Sequence, residues 1–459
     1  MPTVTPPRPA LLALAAALAL GACDSQLDLE PQQSISNERA LATPQNVRSA
    51  IVGAYDRMSD GDLYGGQFLM GPDLLAARTG EVVWTGTFAD PREFWNKNLL
   101  VTNGFVEDTW EDAYDVINVA NNVLSALDVF ADDADARAQA EGQARFLRGA
   151  MYFELVRLWG PAWAGGNPGS DLGVPLVLEP TRAITEADDR TRATVGEVYA
   201  QVIADLQAAR DGLPASNGDL ADSYAASAIL SRVYLSQGDY PAAAAEASRV
   251  IEESGHTLAP AFGAAFNQAA GSPEYVFAIP ITEQDGVNEL NTFYGARENS
   301  GRGDIQLTED YAALFEEGDG RAFFYVDNRD RRRTAKWQGN TAEGVDLPVV
   351  RLAEMYLTRA EANLRAGTEV GAAPLDDVNA VRERAGLDPL DAVTVEDVLR
   401  ERRLELDFEG QLLHDLKRTG RTIPTIDGPL PATAPRFLYP VPQREIDANP
   451  NLEQNAYYQ

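Results

Sequence analysis

The sequence predicts a mainly α protein in which about four helical hairpins form a superhelix, with an irregular, loop-rich half attached to it. Three observations support this prediction: one clear helix–turn–helix stretch, helical spacing of apolar residues on both sides of it, and two long segments without such spacing. The chain has 459 residues, of which 45% are hydrophobic and 24% charged. These values are ordinary for a folded protein, and the length allows two or three domains or one solenoid with insertions.

The clearest pattern lies between Tyr224 and Ile251. Apolar residues follow one helical face as far as Tyr234, Gly238 interrupts them, and an alanine-rich apolar face resumes at Ala243. Small side chains at the facing positions let two helix backbones approach closely, so the pattern predicts an antiparallel helical hairpin. Such a hairpin is the unit of tetratricopeptide-like arrays, in which the repeat is about 34 residues long. Since one hairpin cannot bury both of its faces, we expect neighbouring hairpins.

Helical spacing also occurs before and after this hairpin. Thr43-Pro44 has the form of a helix start, and capping boxes begin at Thr194 and Thr394. The predicted helices, about eight in number, pair as four hairpins. The helical ranges are 43–59, 110–130, 135–159, 194–213, 224–251, 352–366, 375–385 and 394–410.

Two long segments, 60–105 and 258–348, lack helical periodicity and contain many glycine, proline and aromatic residues. Segments of this length inside a helical protein are usually either functional or irregularly packed. Within them, only the run Tyr275–Ile279 has the composition of a strand. Sugar rings are recognised by aromatic faces and by side chains such as Asn and Arg, held on loops by a rigid scaffold. Both segments have this composition.

Eleven residues of the two segments are suited to such recognition. They are Tyr64, Trp84, Phe88, Trp95, Asn96, Asn98, Phe293, Tyr294, Arg297, Asn299 and Trp337. From this set we predict that the ligand-binding residues are Trp84, Trp95, Asn96, Tyr294 and Trp337. The alternative is that several of these rings fill a minor core.

The formal net charge of −32 excludes nucleic acid as a partner, because no basic stripe is present to pair with phosphates. One cysteine and two histidines exclude a disulfide within the chain and any Cys-rich or His-rich metal site. The Asp60-Gly61-Asp62 sequence lacks the spaced ligands of a calcium loop. We expect no cofactor.

The first residues have the features of a bacterial lipoprotein signal. An apolar run from Ala10 to Leu20 is too short to span a bilayer but suits the core of a signal peptide. Leu20-Gly21-Ala22-Cys23 follows and resembles a lipobox, in which the cysteine is lipidated after cleavage. The sequence therefore predicts a signal peptide over 1–22 and a lipid anchor on Cys23. The alternative is an ordinary secretory signal with a chance cysteine.

Four stretches in the mature chain resemble the SusD/RagB family of nutrient-binding outer-membrane lipoproteins. They are 110–124, the Arg145–Gly160 helix, the Arg400–Gly410 segment with Asp415–Arg418, and a closing segment from Tyr439 to Asn455. The resemblance covers essentially the whole mature chain. It implies an N-terminal SusD-like region over 23–250 and a C-terminal RagB/SusD region over 251–459, within one integrated fold.

The resemblance also implies a function. Members of the family are surface-exposed lids on TonB-dependent (SusC-like) outer-membrane transporters, capture oligosaccharides or peptides, and perform no chemistry. A glycan is the favoured ligand here because tryptophans occur in the irregular segments. Within the four stretches we expect Arg148, Arg157, Arg402 and Glu405 to be structural.

Two other functions are consistent with parts of the sequence. A tetratricopeptide-type lipoprotein could act as a scaffold in outer-membrane assembly, although it would not need long aromatic segments. A helical glycoside hydrolase would need only a pair of carboxylates, and the chain has 70 acidic residues. The nucleophile elbow, phosphate loop, dinucleotide fingerprint and zinc-protease motif are all absent from the sequence. A binding protein is therefore favoured over an enzyme.

Overall fold

The structure is a computed structural model that describes residues 40–78, 80–182, 189–268, 271–281, 288–339 and 345–459. The signal peptide over 1–22 and the lipidation site Cys23 lie outside these residues. The described part contains 15 α-helices and only short strands, so the prediction of a mainly α fold is confirmed. The helices are α1 Pro44–Ser59, α2 Gln67–Ala76, α3 Ala89–Asn96, α4 Gly104–Ser125, α5 Ala134–Trp159, α6 Val195–Gly212, α7 Ser223–Gln237, α8 Tyr240–Glu253, α9 Glu289–Tyr294, α10 Glu309–Ala312, α11 Leu352–Ala366, α12 Pro374–Arg384, α13 Val395–Leu406, α14 Leu412–Arg418 and α15 Gln443–Ala448.

The predicted hairpin is formed by α7 and α8, which pack against each other. The side chain of Asp222 caps α7 by accepting hydrogen bonds from the backbone N–H groups of Tyr224 and Ala225. Gly238 ends α7 in the left-handed region, with φ of 76°, where a side chain would be strained. Asp239 then caps α8. Local chemistry therefore accounts for both helix ends and the turn between them.

The remaining scaffold helices stack on this hairpin. Helix α4 packs on α5, α5 on α6 and α6 on α7, while α8 packs on α11, which also contacts α12 and α13. The long helix α5 is central, and its Phe146, Tyr152 and Trp159 side chains are fully buried. One hydrophobic core continues from these helices into the irregular half. The boundary predicted between 250 and 251 falls inside α8.

Ion pairs support this scaffold at the positions expected to be structural. Arg148 donates to both carboxylate oxygens of Asp205 at 2.8 Å, and Arg157 is similarly bonded to Glu154 at 2.6 and 2.7 Å. Arg402 donates to Asp415, and all three arginines are at least nine-tenths buried. Buried charges persist only when they are paired in this way, which is consistent with a structural role.

The segment 60–105, predicted to be irregular, contains α2, a strand and α3. Every residue of α2 is buried, so this helix has no polar face to produce a detectable period. Helix α3 has 8 residues and is too short for a clear pattern. The helix predicted to begin at 110 begins at Gly104 instead, because the side chain of Asn103 caps it by accepting from the N–H of Val106.

The described residues also contain eight short strands, of which the sequence pattern predicted only one. The strands are β1 Val82–Trp84, β2 Tyr275–Ile279, β3 Ile305–Leu307, β4 Phe324–Val326, β5 Arg332–Thr334, β6 Leu347–Arg351, β7 Thr422–Thr425 and β8 Gly428–Pro431. An antiparallel sheet has the order β1-β3-β5-β4, and the pairing of Trp84 with Ile305 joins the two irregular segments. The predicted strand β2 is present and pairs with β6. Three-residue strands are too short for alternation to be recognised.

Candidate functional site

Helix α3 presents the exposed aromatic residues of the first irregular segment. At about 100° per residue, Arg92, Trp95 and Asn96 fall on one side of this helix, and Phe88 directly precedes its first residue. Pro91 and Phe94 face the core on another side. We call Phe88, Arg92, Trp95 and Asn96 the α3 face.

The side chains of the α3 face remain accessible although the helix is firmly attached. Phe88 is 47% exposed, Arg92 and Asn96 are exposed, and Trp95 is half-buried. The indole N–H of Trp95 donates to the carbonyl of Val82 at 2.9 Å, which fixes the orientation of the ring. An aromatic ring held in this way loses little entropy when a ligand stacks on it.

The second irregular segment lies alongside the α3 face. The backbone N–H of Thr85 donates to the carbonyl of Asp304 at 2.7 Å, which extends the pairing of β1 with β3. The guanidinium carbon of Arg302 consequently lies 4.3 Å from the centroid of the Phe88 ring. Arg302 is also held by Asp304, to which its Nε donates at 2.8 Å. Two segments more than 200 residues apart thus meet at one surface.

Buried aromatic rings support this surface from below. The ring of Phe293 lies 5.8 Å from that of Trp84 and 6.1 Å from that of Phe88, measured between centroids. The Trp337 indole donates to the carbonyl of Phe408 at 2.9 Å, and the Tyr294 ring packs edge-on against the Phe408 ring. The buried rings belong to the main hydrophobic core, and the Phe88 ring packs on this core through Phe293.

The structure places three of the five predicted ligand-binding residues in the interior. Trp84 is 6% exposed, Tyr294 1% and Trp337 5%, so these three rings have no free face for a ligand in this structure. Each belongs to the main hydrophobic core, as in the alternative interpretation that the rings fill a core. The physical reason is that β1 and α9 form part of the packed interior, where large aromatic surfaces are stabilised by burial. Trp95 and Asn96 are accessible and stay predictions.

Arg92 and Arg302 also lie at this surface, although the sequence did not indicate them as candidates. The spacing of Phe88, Arg92 and Trp95 at i, i+4 and i+7 could have indicated Arg92, had α3 been recognised as a helix. Arg302 had no such signal, because its position beside Phe88 depends on the pairing of β1 with β3.

Acidic side chains of α3 lie on its other side. Asp90 and Glu93 face the start of α4, where the Asn103 amide donates to Glu93 at 2.7 Å. The pKa of Asp90 is raised by burial and by the nearby Glu93 and Asp108 carboxylates. Asp304 is the acidic partner of Arg302 at this surface. The α3 face itself therefore carries a cation and no acidic residue.

The described residues contain no group of three or more His, Cys, Asp or Glu side chains arranged to hold a metal ion. Asp62 lies in an acidic neighbourhood instead: burial and the Asp108, Glu289 and Asp60 carboxylates raise its pKa to about 6. None of the helices in the described ranges combines the length and apolar character needed to cross a membrane.

Comparison with known proteins identifies relatives along most of the chain. Residues 26–235 match a family model described as "Starch-binding associating with outer membrane", and residues 323–427 match the model of the SusD family. SusD-like protein P2 from Formosa agariphila is 28% identical to this chain, with 94% of this chain and 96% of that protein covered. Starch-binding protein SusD from Bacteroides thetaiotaomicron is 32% identical over 27% of this chain and 25% of its own length.

A solved structure agrees with these sequence relationships. The crystal structure of a SusD superfamily protein from Bacteroides thetaiotaomicron is similar to this chain, with a TM-score of 0.79 and 26% identity. The similarity covers 90% of this chain and 99% of that chain. On the family matches, the relatives and the shared fold, the chain belongs to the SusD/RagB family.

Proposed function

We propose that this protein is a lipid-anchored, surface-exposed outer-membrane protein that binds oligosaccharides and delivers them to a TonB-dependent transporter as its lid. The observation that carries the binding proposal is the α3 face, where the exposed Phe88 ring packs on buried Phe293 and a hydrogen bond to Val82 holds the half-buried Trp95 ring. The description of the matched family model, starch binding in association with the outer membrane, supports the same ligand class and location.

The proposed role is binding and transfer without catalysis. Phe88 and Trp95 can stack on the apolar faces of sugar rings, while Asn96 can exchange hydrogen bonds with sugar hydroxyls. The proposal includes the anchor on Cys23 and the two regions, 23–250 and 251–459, acting as one integrated fold. A peptide ligand is the alternative within this function, and stacking surfaces favour the glycan.

The test is an affinity pull-down of the tagged protein from gently solubilised outer membrane, with mass spectrometry of the bound proteins. We expect a stoichiometric TonB-dependent transporter. The Cys23→Ser variant is the matched control, because it retains the globular domain and should be released from the membrane. Recovery of outer-membrane assembly proteins instead would favour the scaffold function and contradict the proposal.

A further inference from the structure

Arg92 and Arg297 lack the acidic partners that most arginines of the described chain have. Most arginines of the scaffold form ion pairs, whereas no carboxylate of the described residues pairs with Arg92 or Arg297. The only hydrogen bond from the Arg92 side chain goes to the carbonyl of Gly86, at 2.7 Å. Arg297 is exposed and its side chain has no partner among the described residues. These guanidinium groups retain free donors.

Arg302, at the α3 face, is held in place by its neighbours. Its guanidinium group lies over the Phe88 ring, and one edge is bonded to Asp304. A second contact, at 3.4 Å to the hydroxyl of Thr87, is long for a hydrogen bond. Arg302 is therefore oriented before any ligand arrives and still has donors to offer.

At α3 the guanidinium groups and the carboxylates of the helix lie on different sides. The carboxylate at the α3 face is that of Asp304, which pairs with Arg302, whereas Asp90 and Glu93 face the start of α4. Because exposed charges are screened beyond about 8 Å at physiological ionic strength, the local arginines dominate what a bound group experiences. Guanidinium groups bind carboxylate and sulfate-like oxyanions through paired N–H donors.

We propose that the α3 face binds an acidic oligosaccharide, whose carboxylate or sulfate groups pair with Arg92 and Arg302 while a sugar ring stacks on Phe88 or Trp95. This inference rests on the proposed carbohydrate-binding function and specifies its ligand class. The guanidinium group of Arg302 lies 4.3 Å from the centroid of the Phe88 ring, so one ligand can contact a ring and a cation together. A nucleic acid is a poorer match, since the few arginines do not form a continuous stripe.

The test compares matched acidic and neutral oligosaccharides by isothermal titration calorimetry. The acidic probes are oligogalacturonates and oligosaccharides of a sulfated galactan, and the neutral probes are their carboxyl-reduced and desulfated counterparts. We expect one acidic probe to bind about tenfold or more tightly than its neutral counterpart, and to weaken as salt is raised. The two acidic probes distinguish a carboxylate from a sulfate ligand.

Variants identify the residues responsible. In Arg92→Gln/Arg302→Gln we expect the acidic probe to lose about tenfold in affinity while the affinity for the neutral probe changes little. Arg92→Lys/Arg302→Lys should give an intermediate loss, because the charge remains but the paired donors do not. Arg48→Gln is the matched control: Arg48 is exposed and lies 5.4 Å from the Phe130 ring centroid, but on α1. It should bind as the unaltered protein does.

The outcomes separate this inference from the proposed function. Equal affinity for acidic and neutral probes, or binding of neutral probes alone, overturns the acidic-ligand inference and leaves carbohydrate binding intact. An equal loss of affinity in Arg48→Gln also overturns it, because the effect would then come from net charge. If no acidic or neutral glycan binds, both the inference and the carbohydrate function are overturned.

Discussion

Two groups of arginines in this protein have opposite environments. At the centre of the fold, the fully buried Arg351 donates to the carboxylates of Glu274, Glu405 and Glu409. On the α3 face, the exposed Arg92 donates only to one backbone carbonyl. The first group connects β2, β6 and α13 of the scaffold, whereas the second faces solvent on a short helix.

The difference shows how burial distinguishes arginines that stabilise the fold from arginines that a ligand can contact. A buried guanidinium group has lost its hydration, and only a complete set of partners offsets that cost. Although burial raises the pKa of Glu405, the guanidinium groups of Arg384 and Arg351 lower it below its ordinary value. An exposed guanidinium group keeps its water, and a ligand can replace that water. Whether an arginine already has a full set of acidic partners is therefore the criterion by which we assign it to the scaffold or to ligand binding.

The largest expected effect is on the buried group. Arg351→Ala would leave Glu274, Glu405 and Glu409 without their main partner, so we expect the free energy of unfolding to fall by about 3–5 kcal/mol. Arg92→Ala should change it by no more than about 0.5 kcal/mol. Chemical denaturation followed by circular dichroism measures both. Similar losses in the two variants would contradict the contrast between the groups.

A second comparison uses two tryptophans from the irregular half. Trp337→Ala removes a buried ring and should lower the free energy of unfolding by about 3 kcal/mol, with ligand affinity unchanged in the folded fraction. Trp95→Ala should cost less stability but weaken oligosaccharide binding by about tenfold, because the ring is accessible. Thermal unfolding and calorimetric titration separate these effects. If Trp337→Ala weakened binding and Trp95→Ala did not, the site would be wrongly located.

The smallest expected effect concerns Asp62, which faces like charges and has a pKa raised to about 6. The folded state binds this proton more tightly than the unfolded state, so the ionised group destabilises the fold above pH 6 and ceases to do so as the pH falls toward 4. Because Asp62 is partly solvent-screened, we expect Asp62→Asn to raise the free energy of unfolding by about 1 kcal/mol at pH 8.

Denaturant unfolding at pH 8 and pH 4 tests this expectation. The gain from Asp62→Asn should be present at pH 8 and absent at pH 4. Asp132→Asn, at an exposed position, is the control and should have no effect at either pH. A gain of equal size at both pH values would show that the substitution acts through something other than charge.

The fold could be predicted where a helix is amphipathic and has a local cap. Gly238, Asp239 and the capping box at Thr194 mark helix ends through contacts within four residues, and the structure has those ends where the sequence predicts them. Helix α2 escaped prediction because it is apolar around its whole circumference. The strands Val82–Trp84 and Ile305–Leu307 escaped because three residues carry too little pattern.

The sequence predicted the residue types of the candidate site but not which of these residues are accessible. Aromatic residues in long irregular segments indicated the half of the molecule that contains the candidate site, but composition cannot separate a buried ring from an accessible one. Trp84 and Trp95 lie in the same irregular segment, yet Trp84 is buried and Trp95 is only half-buried. The packing of Trp84 against Phe293, from a segment more than 200 residues away, makes that difference.

By itself, the sequence determined the helical hairpins, their caps and the family resemblance, because these depend on residue spacing along a continuous stretch. The tertiary structure alone decided which aromatic rings are buried and which arginines have acidic partners. Both properties depend largely on contacts between segments that are distant in the chain, such as the pairing that brings Arg302 over Phe88. Burial and ion pairing are non-local, so they could not be derived from local residue patterns.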